Sequence, residues 1–309
     1  MEVVFILLIA LAFDLAFREP ANSWHPVAWL GKLISLETKA SPQKGKLRQL
    51  FYGTSTVLVT LAVIVAPVYF LLAQLREMNS VVYVIAAGLL FKLTFSLRGL
   101  RQTAGEVKRF LAQDNLAQAR TSVGSLVSRD TAKLNQNQLI SATVESAAEN
   151  SCDSFVAPLF YFLLFGVPGA MAYRVVNTFD AMIGYHGERE YLGKFAARLD
   201  DAANFLPARI TSLTIVLAAW LCKKNISQAW RTMLRDHKKT ESPNAGWTMS
   251  AMAGALGVQL EKTGHYQLGD NYHPLSLKTI DASLRIIMVV AVIWGSFSIL
   301  AEVIHFVAA

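Results

Sequence analysis

Residues 49–75 read QLFYGTSTVLVTLAVIVAPVYFLLAQL, and this stretch holds no charged residue. About 20 apolar residues are enough for one helix to cross roughly 30 Å of hydrocarbon. Two further stretches meet the same criterion: residues 78–97, which carry only Lys92 near one end, and residues 286–301, which carry no charge. We therefore expect membrane-spanning helices at all three places.

The composition of the whole chain agrees with a membrane protein. Of its 309 residues, 53% are hydrophobic and 17% are charged, whereas charged residues make up about 25% of an ordinary soluble domain. The net charge of +7 fits basic residues at a membrane surface, so we expect no nucleic-acid partner. Cys152 and Cys222 form no CxxC motif or Cys/His cluster, which argues against a disulfide framework and a structural zinc site.

The N-terminal residues 3–17 are apolar but lack a basic flank and a small-residue cleavage site. We therefore expect a retained helix rather than a signal peptide, with Asp14 at or inside the membrane. For two other apolar stretches it is ambiguous whether they cross the membrane as one helix. Residues 154–173 are split by the sequence GVPG, and residues 202–222 are interrupted at Pro207 and Arg209. Each contains a proline, which removes a helical hydrogen bond.

These stretches predict an all-α, polytopic integral membrane protein with about four to six membrane helices, two of them broken or re-entrant. Cytoplasmic loops collect Lys and Arg, and with only the four stronger crossings residues 18–48 and 98–285 share one side. Those two segments hold every basic residue except Arg76 and Lys92. This favours four crossings plus two re-entrant or surface hairpins, within a single domain of residues 1–309.

Residues 99–127 place apolar side chains at helical spacing among charges, which predicts a cytoplasmic amphipathic helical pair. No stretch shows the alternation that a β-strand would require. The chain also lacks the Walker A, GxGxxG, GxSxG and HExxH motifs, so the standard nucleotide-binding and hydrolase templates find no support.

The centre of the chain carries an unusual density of acids for a membrane protein. Glu145, Glu149 and Asp153 lie at i, i+4 and i+8, which places three carboxylates along one face of a helix. Like charges at this spacing repel, so a cation, arginine partners or protons must stabilise them, and a divalent metal is a reasonable candidate. A solvated helical face is the alternative.

Two similar groups follow, each combining a carboxylate with an amide near the end of an apolar stretch, and arginines flank the second group. Magnesium prefers one or two carboxylates plus water and phosphate oxygens, and arginine makes planar contacts with phosphate. The groups therefore suggest phosphoryl chemistry, although helix caps or an internal ion pair between Arg198 and Asp201 would explain them too. Their members are Asn177, Asp180, Arg198, Asp200, Asp201, Asn204 and Arg209.

Two further segments have both a functional and a structural interpretation. Asp14, Glu19 and His25 cluster where the first helix ends, and a histidine beside a proline is either catalytic or structural. The sequence SPNAGW, residues 242–247, either contacts a ligand or forms a turn that starts a helix.

Five ordered segments carry a resemblance to a known family, together with an opening EPxxxxHPVxxLG that begins at Glu19. They closely resemble the adenosylcobinamide-phosphate synthase family of cobalamin biosynthesis, and the match runs from the N-terminal helix to the last membrane span. The segments are LVSRDTAKL (126–134), ESAAENSCDSFVAPLF (145–160), PGAMAYRVVNTFDAMIGY (168–185), ARLDDAANFLPARI (197–210) and SPNAGWTMSAMAGALGVQL (242–260).

The resemblance implies a multi-pass enzyme of the cell (inner) membrane with its active site facing the cytoplasm. Such an enzyme is an ATP-dependent carbon-nitrogen ligase: it joins a propionate of adenosylcobyric acid to aminopropanol phosphate or aminopropanol, using ATP and Mg²⁺. The implied partners are the corrinoid, the aminoalcohol phosphate, the lipid bilayer and other late cobalamin-assembly enzymes.

Within this resemblance we expect metal-binding and catalytic carboxylates at Glu149, Asp153, Asp180 and Asp201. His25 is expected to accept a proton from the attacking amine. The expected residues for substrate and phosphate binding are Arg129, Asn150, Asn177, Arg198, Asn204, Arg209, Ser242 and Asn244. Neighbouring residues that would support them are Asp14, Glu19, Asp130, Glu145 and Asp200.

Two other classes of function remain alternatives. One is a non-enzymatic membrane signalling modulator of similar architecture, in which we would not expect the acidic run. The other is an ion-coupled transporter, for which Asp14 and the broken apolar segments would be ion-site features. Because the acids cluster at the ends of apolar segments rather than in their middle, a surface-facing active site is favoured.

Overall fold

The structure is a computed structural model that describes residues 1–17, 26–127, 129–184 and 190–308. Helices account for 81% of it. This confirms the predicted all-α class. The α-helices are α1 (Glu2–Ala16), α2 (Pro26–Ala40), α3 (Lys46–Met78), α4 (Ser80–Lys92), α5 (Leu97–Ala112), α6 (Leu116–Gly124), α7 (Gln136–Ser151), α8 (Ala157–Ile183), α9 (Glu190–Leu221), α10 (Ile226–Asp236), α11 (Ala245–Leu256) and α12 (Leu277–Ala308). A π-helical turn (Cys152–Val156) follows α7, a 3₁₀ turn (His237–Lys239) follows α10, and strands β1 (Leu260–Lys262) and β2 (Tyr266–Leu268) pair antiparallel.

The chain forms two compact units. The first comprises Met1–Ser96, Ala157–Asn204 and Phe297–Ala309, and the second comprises Leu97–Val156 and Phe205–Ser296. A single domain over residues 1–309 stays a prediction. The core of the first unit is built from apolar side chains of α2, α3, α8 and α9, including Ile34, Val57, Phe179 and Ala196.

Five helices in the described ranges are long and apolar enough to cross a membrane. Many side chains on their outer surfaces are large and apolar: on α3, Leu58, Val63 and Phe70 are each more than half exposed. Lipid favours such a surface and water opposes it, so the prediction of a polytopic membrane protein is confirmed. The five candidates are Lys46–Met78, Ser80–Ala112, which joins α4 and α5, Gln136–Ile183, which joins α7 and α8, Glu190–Leu221 and Leu277–Ile304.

Helix α1 covers the predicted crossing at residues 3–17 but has only 15 residues. Such a helix rises about 22 Å, less than the roughly 30 Å of hydrocarbon, and α1 is not among the five. It packs on α4, where Gly88 leaves room for the side chain of Ile9. Asp14 and Lys92 form an ion pair between the two helices at 3.1 Å, with both side chains largely buried.

Helix α8 reverses its direction at the predicted break. Gly166 has φ 66° and ψ −161°, a conformation open almost only to glycine, and Pro168 then lies in the first turn of the second half, where its missing N–H is tolerated. The rings of Tyr161 and Tyr173 stack with their centroids 5.2 Å apart, although twelve residues of straight helix would separate them by about 18 Å. The chain therefore folds back at GVPG, as predicted, and Gln136–Ile183 is not one straight crossing.

The second predicted break is absent, because α9 continues through Pro207. Proline has no N–H, so the carbonyl of Ala203, four residues earlier, loses its helical partner. The hydroxyl of Tyr161 donates to this carbonyl at 2.9 Å. The expectation of an interruption at Pro207 and Arg209 is wrong because a side chain from α8 replaces the lost backbone hydrogen bond.

The second unit contains the predicted amphipathic pair, α5 and α6. Leu100, Val107 and Leu111 form the buried face of α5. The unit also contains a β-hairpin that the sequence analysis did not predict, with Leu260 opposite Leu268. Strands of three residues are too short to show alternating polarity, which explains the omission.

The fold-back at Gly166 can be tested by adding a single methyl group. We expect Gly166→Ala to lower the free energy of unfolding by about 1–3 kcal/mol, the cost of holding a residue with a Cβ in this conformation. Gly105→Ala, in α5, is the control because its Cβ would enter open space, and it should be neutral or stabilising. Thermal unfolding in detergent, followed by circular dichroism, compares the two. Equal midpoints for Gly166→Ala and the wild type would contradict a glycine-dependent turn.

Candidate active site

A half-buried polar face lies at the end of α7 and in the π-helical turn. Glu149, Asn150, Asp153 and Ser154 are partly exposed, whereas residues 139–148 of α7 are buried. Ser154 Oγ donates to Asn150 Oδ1 at 2.8 Å, and Asn150 Nδ2 donates to the carbonyl of Ser146 at 3.0 Å. The face therefore presents two carboxylates beside an amide in a fixed orientation.

The backbone is π-helical where this face carries Asp153. Single π turns are rare and frequently occur at functional sites, because the extra residue interrupts the regular hydrogen-bond ladder of the helix. The turn is therefore an independent structural sign of function at the place where the acidic run of the sequence ends.

The third carboxylate of the predicted stripe, Glu145, is buried, with only 4% of the residue exposed. Its Oε1 accepts a hydrogen bond from Ser141 Oγ at 2.5 Å, and its Oε2 accepts one from the Tyr266 hydroxyl at 2.8 Å. Arg129 Nη2 lies 3.5 Å from the same Oε2. A buried carboxylate is costly unless it is paired and hydrogen-bonded, and these groups meet both conditions.

The same residues attach the β-hairpin to α7. Ser141 Oγ accepts a hydrogen bond from the backbone N–H of Glu261 at 2.8 Å, and Arg129 Nη1 donates to the carbonyl of Glu261 at 3.4 Å. This geometry favours the supporting role predicted for Glu145. It also gives Arg129, predicted as a phosphate ligand, a structural role in holding the hairpin.

The Tyr266 hydroxyl stays protonated in this position. Burial raises the pKa of Tyr266 above its ordinary value, and the negative charge of Glu145, followed by that of Glu149, raises it further. Tyr266 therefore remains a hydrogen-bond donor to Glu145 at physiological pH. Because Glu149 acts on the same hydroxyl, the hairpin lies close to the half-buried face of α7.

The hairpin also lines a polar pocket of about 500 Å³. Lys239 Nζ lies 2.6 Å from Asp236 Oδ1, and His265 Nδ1 lies 2.9 Å from a carboxylate oxygen of Glu241. Two ammonium groups and an imidazole supply the kind of donors that bind phosphate. The pocket is lined by Lys239, Lys262, Gly264, His265, Tyr266 and Gln267.

Asp236 fixes one wall of this pocket. Its carboxylate is fully buried and accepts hydrogen bonds from Arg235 Nη2 and from the backbone N–H of Gly269, both at 2.8 Å. Burial alone would raise the pKa of Asp236, but the hydrogen bonds from Arg235, Lys239 and Gly269 outweigh burial and hold the pKa at about 2. The carboxylate is therefore ionised at physiological pH.

Arg209 and Asn244, both predicted to bind substrate, contact each other. Arg209 Nη1 donates to Asn244 Oδ1 at 3.1 Å. The guanidinium lies over the rings of Phe205 and Trp247, with its carbon 3.6 Å and 5.0 Å from the two ring centroids. Aromatic stacking of this kind holds a guanidinium in one orientation, which suits recognition of phosphate or carboxylate.

Ser242 has a structural role in the same region. Its Oγ accepts hydrogen bonds from the backbone N–H groups of Asn244 and Ala245 at 3.2 and 3.3 Å. These contacts satisfy N–H groups at the start of α11 that would otherwise lack helical partners. Of the two interpretations of this segment, the structure therefore favours a turn that starts a helix, rather than ligand contact, for Ser242.

The first unit holds a separate polar cluster between α8 and α9. Asp200 accepts hydrogen bonds from Asn177 Nδ2 at 3.3 Å and from Asn204 Nδ2 at 3.0 Å. The Tyr173 hydroxyl donates to Asn204 Oδ1 at 2.9 Å. Asp200 and Asn204 are buried, so their contacts favour positioning roles, whereas Asn177 is partly exposed.

Asp180 and Asp201 are partly exposed on the same two helices. The Asp180 carboxylate lies over Gly184, in the space that any larger side chain at that position would need. Arg198 lies close enough to Asp201 for the two charges to interact, which agrees with the ion pair considered in the sequence analysis.

Within the described ranges, no three or more His, Cys, Asp or Glu side chains are arranged to hold a metal ion. The metal ligands expected from the sequence stay a prediction: Glu149, Asp153, Asp180 and Asp201. Asp130 is exposed, and its carboxylate accepts a hydrogen bond from the N–H of Ala132 in a local turn at 2.9 Å. Glu19 and His25 lie outside the described residues.

Three residues of the Glu145 and Asp200 networks were missed by the sequence analysis: Ser141, Tyr173 and Tyr266. Four residues at the hairpin pocket were missed as well: Asp236, Lys239, Lys262 and His265. Ser141 and Tyr173 lie four residues before Glu145 and Asn177, a helical spacing that could have identified them. Tyr266 has no such signal, because it is 121 residues from Glu145 in the sequence.

The hairpin attachment predicts the effect of removing one hydroxyl. We expect Tyr266→Phe to lower the free energy of unfolding by about 1–3 kcal/mol, since the buried Glu145 loses a hydrogen-bond donor. Tyr272→Phe is the matched control, because Tyr272 is 64% exposed and should be neutral. Thermal unfolding and limited proteolysis of the hairpin measure the change. If both variants unfold and are cleaved like the wild type, Glu145 does not hold the hairpin.

The pKa of Asp236 predicts a pH-dependent stabilisation. Its folded-state value of about 2 lies below the ordinary 3.8, so the stabilisation is present in full above about pH 4 and is lost as the pH falls through about 2. We expect Asp236→Asn to be less stable than the wild type by about 1–3 kcal/mol at neutral pH. The difference in stability between the wild type and Asp236→Asn should become smaller as the pH falls. Denaturation midpoints at several pH values measure this difference, and a difference that does not change with pH would contradict an ionised Asp236.

Comparisons with known proteins identify the family. The model of the CobD/Cbib protein family matches residues 7–287. A cobalamin biosynthesis protein CobD from Dehalococcoides mccartyi is 53% identical over 97% of both chains, and a probable one from Methanothermobacter thermautotrophicus is 42% identical over 87% of this chain and 88% of its own. A third, from Methanocaldococcus jannaschii, is 36% identical over 94% and 97%. No solved structure matches the chain. The coverage and the identity together show that this chain belongs to the CobD/Cbib protein family.

Proposed function

We propose that this chain is an ATP-dependent carbon-nitrogen ligase of cobalamin biosynthesis. It joins the propionate carboxylate of adenosylcobyric acid to the amine of aminopropanol phosphate, or of aminopropanol, and forms adenosylcobinamide phosphate or adenosylcobinamide. The family and its relatives, which are named cobalamin biosynthesis proteins, support the pathway. The resemblance of the sequence motifs supports the reaction.

The half-buried face with Glu149 and Asp153 is the observation that carries this proposal. A carboxylate must be activated before an amine displaces its oxygen, and ATP with Mg²⁺ supplies the phosphoryl group for an acyl phosphate. Carboxylates at the edge of a protected site hold a cation near the transferring phosphate.

The residues of this face fit Mg²⁺ as part of an ATP complex. Mg²⁺ takes one or two protein carboxylates and completes its octahedron with water and phosphate oxygens. Glu149 and Asp153 provide two carboxylates, and Asn150 provides an amide beside them. Such a site needs no third acidic ligand, which agrees with the donors present on this face.

Cationic side chains of the second unit would bind the anionic substrates. Arg209, held by Asn244 and two aromatic rings, presents a planar guanidinium suited to phosphate or propionate. Lys239 and Lys262 line the hairpin pocket and suit a phosphate group as point charges. Glu145 would act indirectly, because it positions the hairpin that carries Lys262.

The amine must lose a proton before or during its attack on the activated carboxylate. His25 stays our candidate for this acceptor, on the strength of the sequence. Asn177, partly exposed in the first unit, suits the amide groups that fringe a corrinoid. We place the active site on the cytoplasmic side of the inner membrane, where ATP is available, and other late cobalamin-assembly enzymes would act beside it.

Ion-coupled transport was one of the two other classes that the sequence left open. A coupling site requires an acidic group that can exchange its ion or proton during transport. In the structure Asp14 pairs with the fixed ammonium of Lys92, which supports a structural ion pair between α1 and α4. The enzyme therefore remains the better supported function.

The reaction can be tested with the purified full-length protein. We expect ATP consumption only when adenosylcobyric acid and aminopropanol phosphate are both present, with the amide product seen by mass spectrometry. Glu149→Gln and Asp153→Asn should each reduce turnover by roughly 100-fold or more while the melting temperature stays near that of the wild type. The ratio of ADP to AMP formed reports whether an acyl phosphate is the intermediate.

Glu106→Gln is the control, because Glu106 is an exposed acid on α5 and its removal should leave turnover unchanged. Turnover that survives Glu149→Gln and Asp153→Asn would refute the assignment of the site. If ATP is consumed but no combination of the substrates gives the amide product, the proposed reaction is refuted.

A further inference from the structure

Helix α10 presents three different faces. The first is buried and comprises Ala229, Thr232, Met233 and Asp236. It packs against α11, where Gly254 allows the backbone of α10 to approach closely. Only four of the eleven residues of α10 are buried, and six are exposed.

The second face is apolar and exposed. Ile226, Trp230 and Leu234 follow each other at intervals of four residues, and their exposed fractions are 43%, 44% and 47%. At 3.6 residues per turn they cover an arc of about 80°. A tryptophan between two aliphatic side chains on one exposed stripe is costly in water and requires a covering partner.

The third face is basic and borders the apolar stripe. Arg231 lies on it, Lys223 and Lys224 lie immediately before α10, and Lys238 lies just after it; all four are exposed. None of them forms an ion pair with another residue of the described chain. The covering partner should therefore be apolar beside the stripe and negatively charged beside these residues.

The apolar stripe of α10 follows closely in sequence on exposed apolar side chains of a candidate membrane helix. Leu213, Leu217 and Trp220 are exposed along the end of α9, with Trp220 where aromatic residues concentrate at a membrane boundary. Only residues 222–225 separate the two helices. Asn225 caps α10 by accepting a hydrogen bond from the N–H of Gln228 at 3.0 Å.

We propose that α10 is an interfacial helix, seated on the anionic surface of the bilayer at the end of α9. Its stripe of Ile226, Trp230 and Leu234 enters the boundary between head groups and acyl chains, and the adjacent basic residues contact lipid phosphates. An exposed apolar face flanked by Lys and Arg is the arrangement by which amphipathic helices bind anionic membranes. The inference is independent of the ligase activity.

The depth of Trp230 gives the first test. Full-length protein is reconstituted in vesicles of equal parts phosphatidylcholine and phosphatidylglycerol, with or without brominated acyl chains that quench nearby tryptophan. The emission that is lost in Trp230→Phe should be emission that brominated lipid quenches in the wild type, and the same should hold for Trp220→Phe. Trp294→Phe, at a buried position, is the control and should remove an unquenched part.

Two outcomes of this measurement would overturn the proposal. If the Trp230 emission is quenched by aqueous iodide but not by brominated lipid, the stripe faces water. If neither quencher reaches it, a second protein surface covers the stripe, and α10 is a contact between chains instead.

The charge of the surface gives the second test. Spin-labelled phosphatidylglycerol should associate with the protein in preference to spin-labelled phosphatidylcholine, and the triple variant Lys223→Gln, Lys224→Gln, Arg231→Gln should reduce that preference about twofold or more. A triple control at Arg101, Arg109 and Lys133, which are exposed in the same unit, removes the same charge. An equal reduction in both triple variants, or none in the first, would refute a specific contact of α10 with anionic lipid.

Discussion

The buried carboxylate of Glu145 is the constraint on which the second unit depends. A carboxyl group removed from water needs polar partners held in place, and here Ser141, Tyr266 and Arg129 come from three separate segments of the chain. Meeting this requirement fixes the hairpin beside α7 and leaves Glu149 and Asp153 as the accessible members of the acidic run. One run of acids is thus divided into a structural residue and two that can meet a ligand.

The fold could be predicted where the deciding interactions are local. Long uncharged runs such as residues 49–75 identify membrane helices because the bilayer imposes their length, and the break at GVPG follows from the conformations that glycine and proline adopt. Pro207 shows the limit of such reasoning. Its effect on α9 depends on the hydroxyl of Tyr161, 42 residues away from the carbonyl that it completes, and no local pattern reveals that partner. The hairpin escaped prediction because its strands are too short to carry a pattern.

For the candidate site, the sequence supplied residue types and their spacing but not the contacts that divide their roles. Helical spacing placed Glu145, Glu149 and Asp153 on one face, yet spacing does not show that burial takes Glu145 out of reach. Likewise Asp200 and Asp201 are neighbours in the chain, while only Asp200 is enclosed by Asn177 and Asn204. Tyr266 lay outside every motif because its contact with Glu145 joins residues far apart in the chain. A sequence motif shows neither how deeply a residue is buried nor which distant residues it contacts.

The hydrogen bond between Tyr161 and the carbonyl of Ala203 has a consequence for how the protein is assembled. In hydrocarbon a backbone carbonyl without a donor carries a penalty of several kcal/mol, so α9 alone would enter the bilayer with a defect at the turn before Pro207. That defect is removed once α8 has folded back and Tyr161 faces α9. The two helices are therefore not independent insertion units: α9 reaches its stable form only on a re-entrant partner already in place, which gives the biogenesis of the first unit a preferred order.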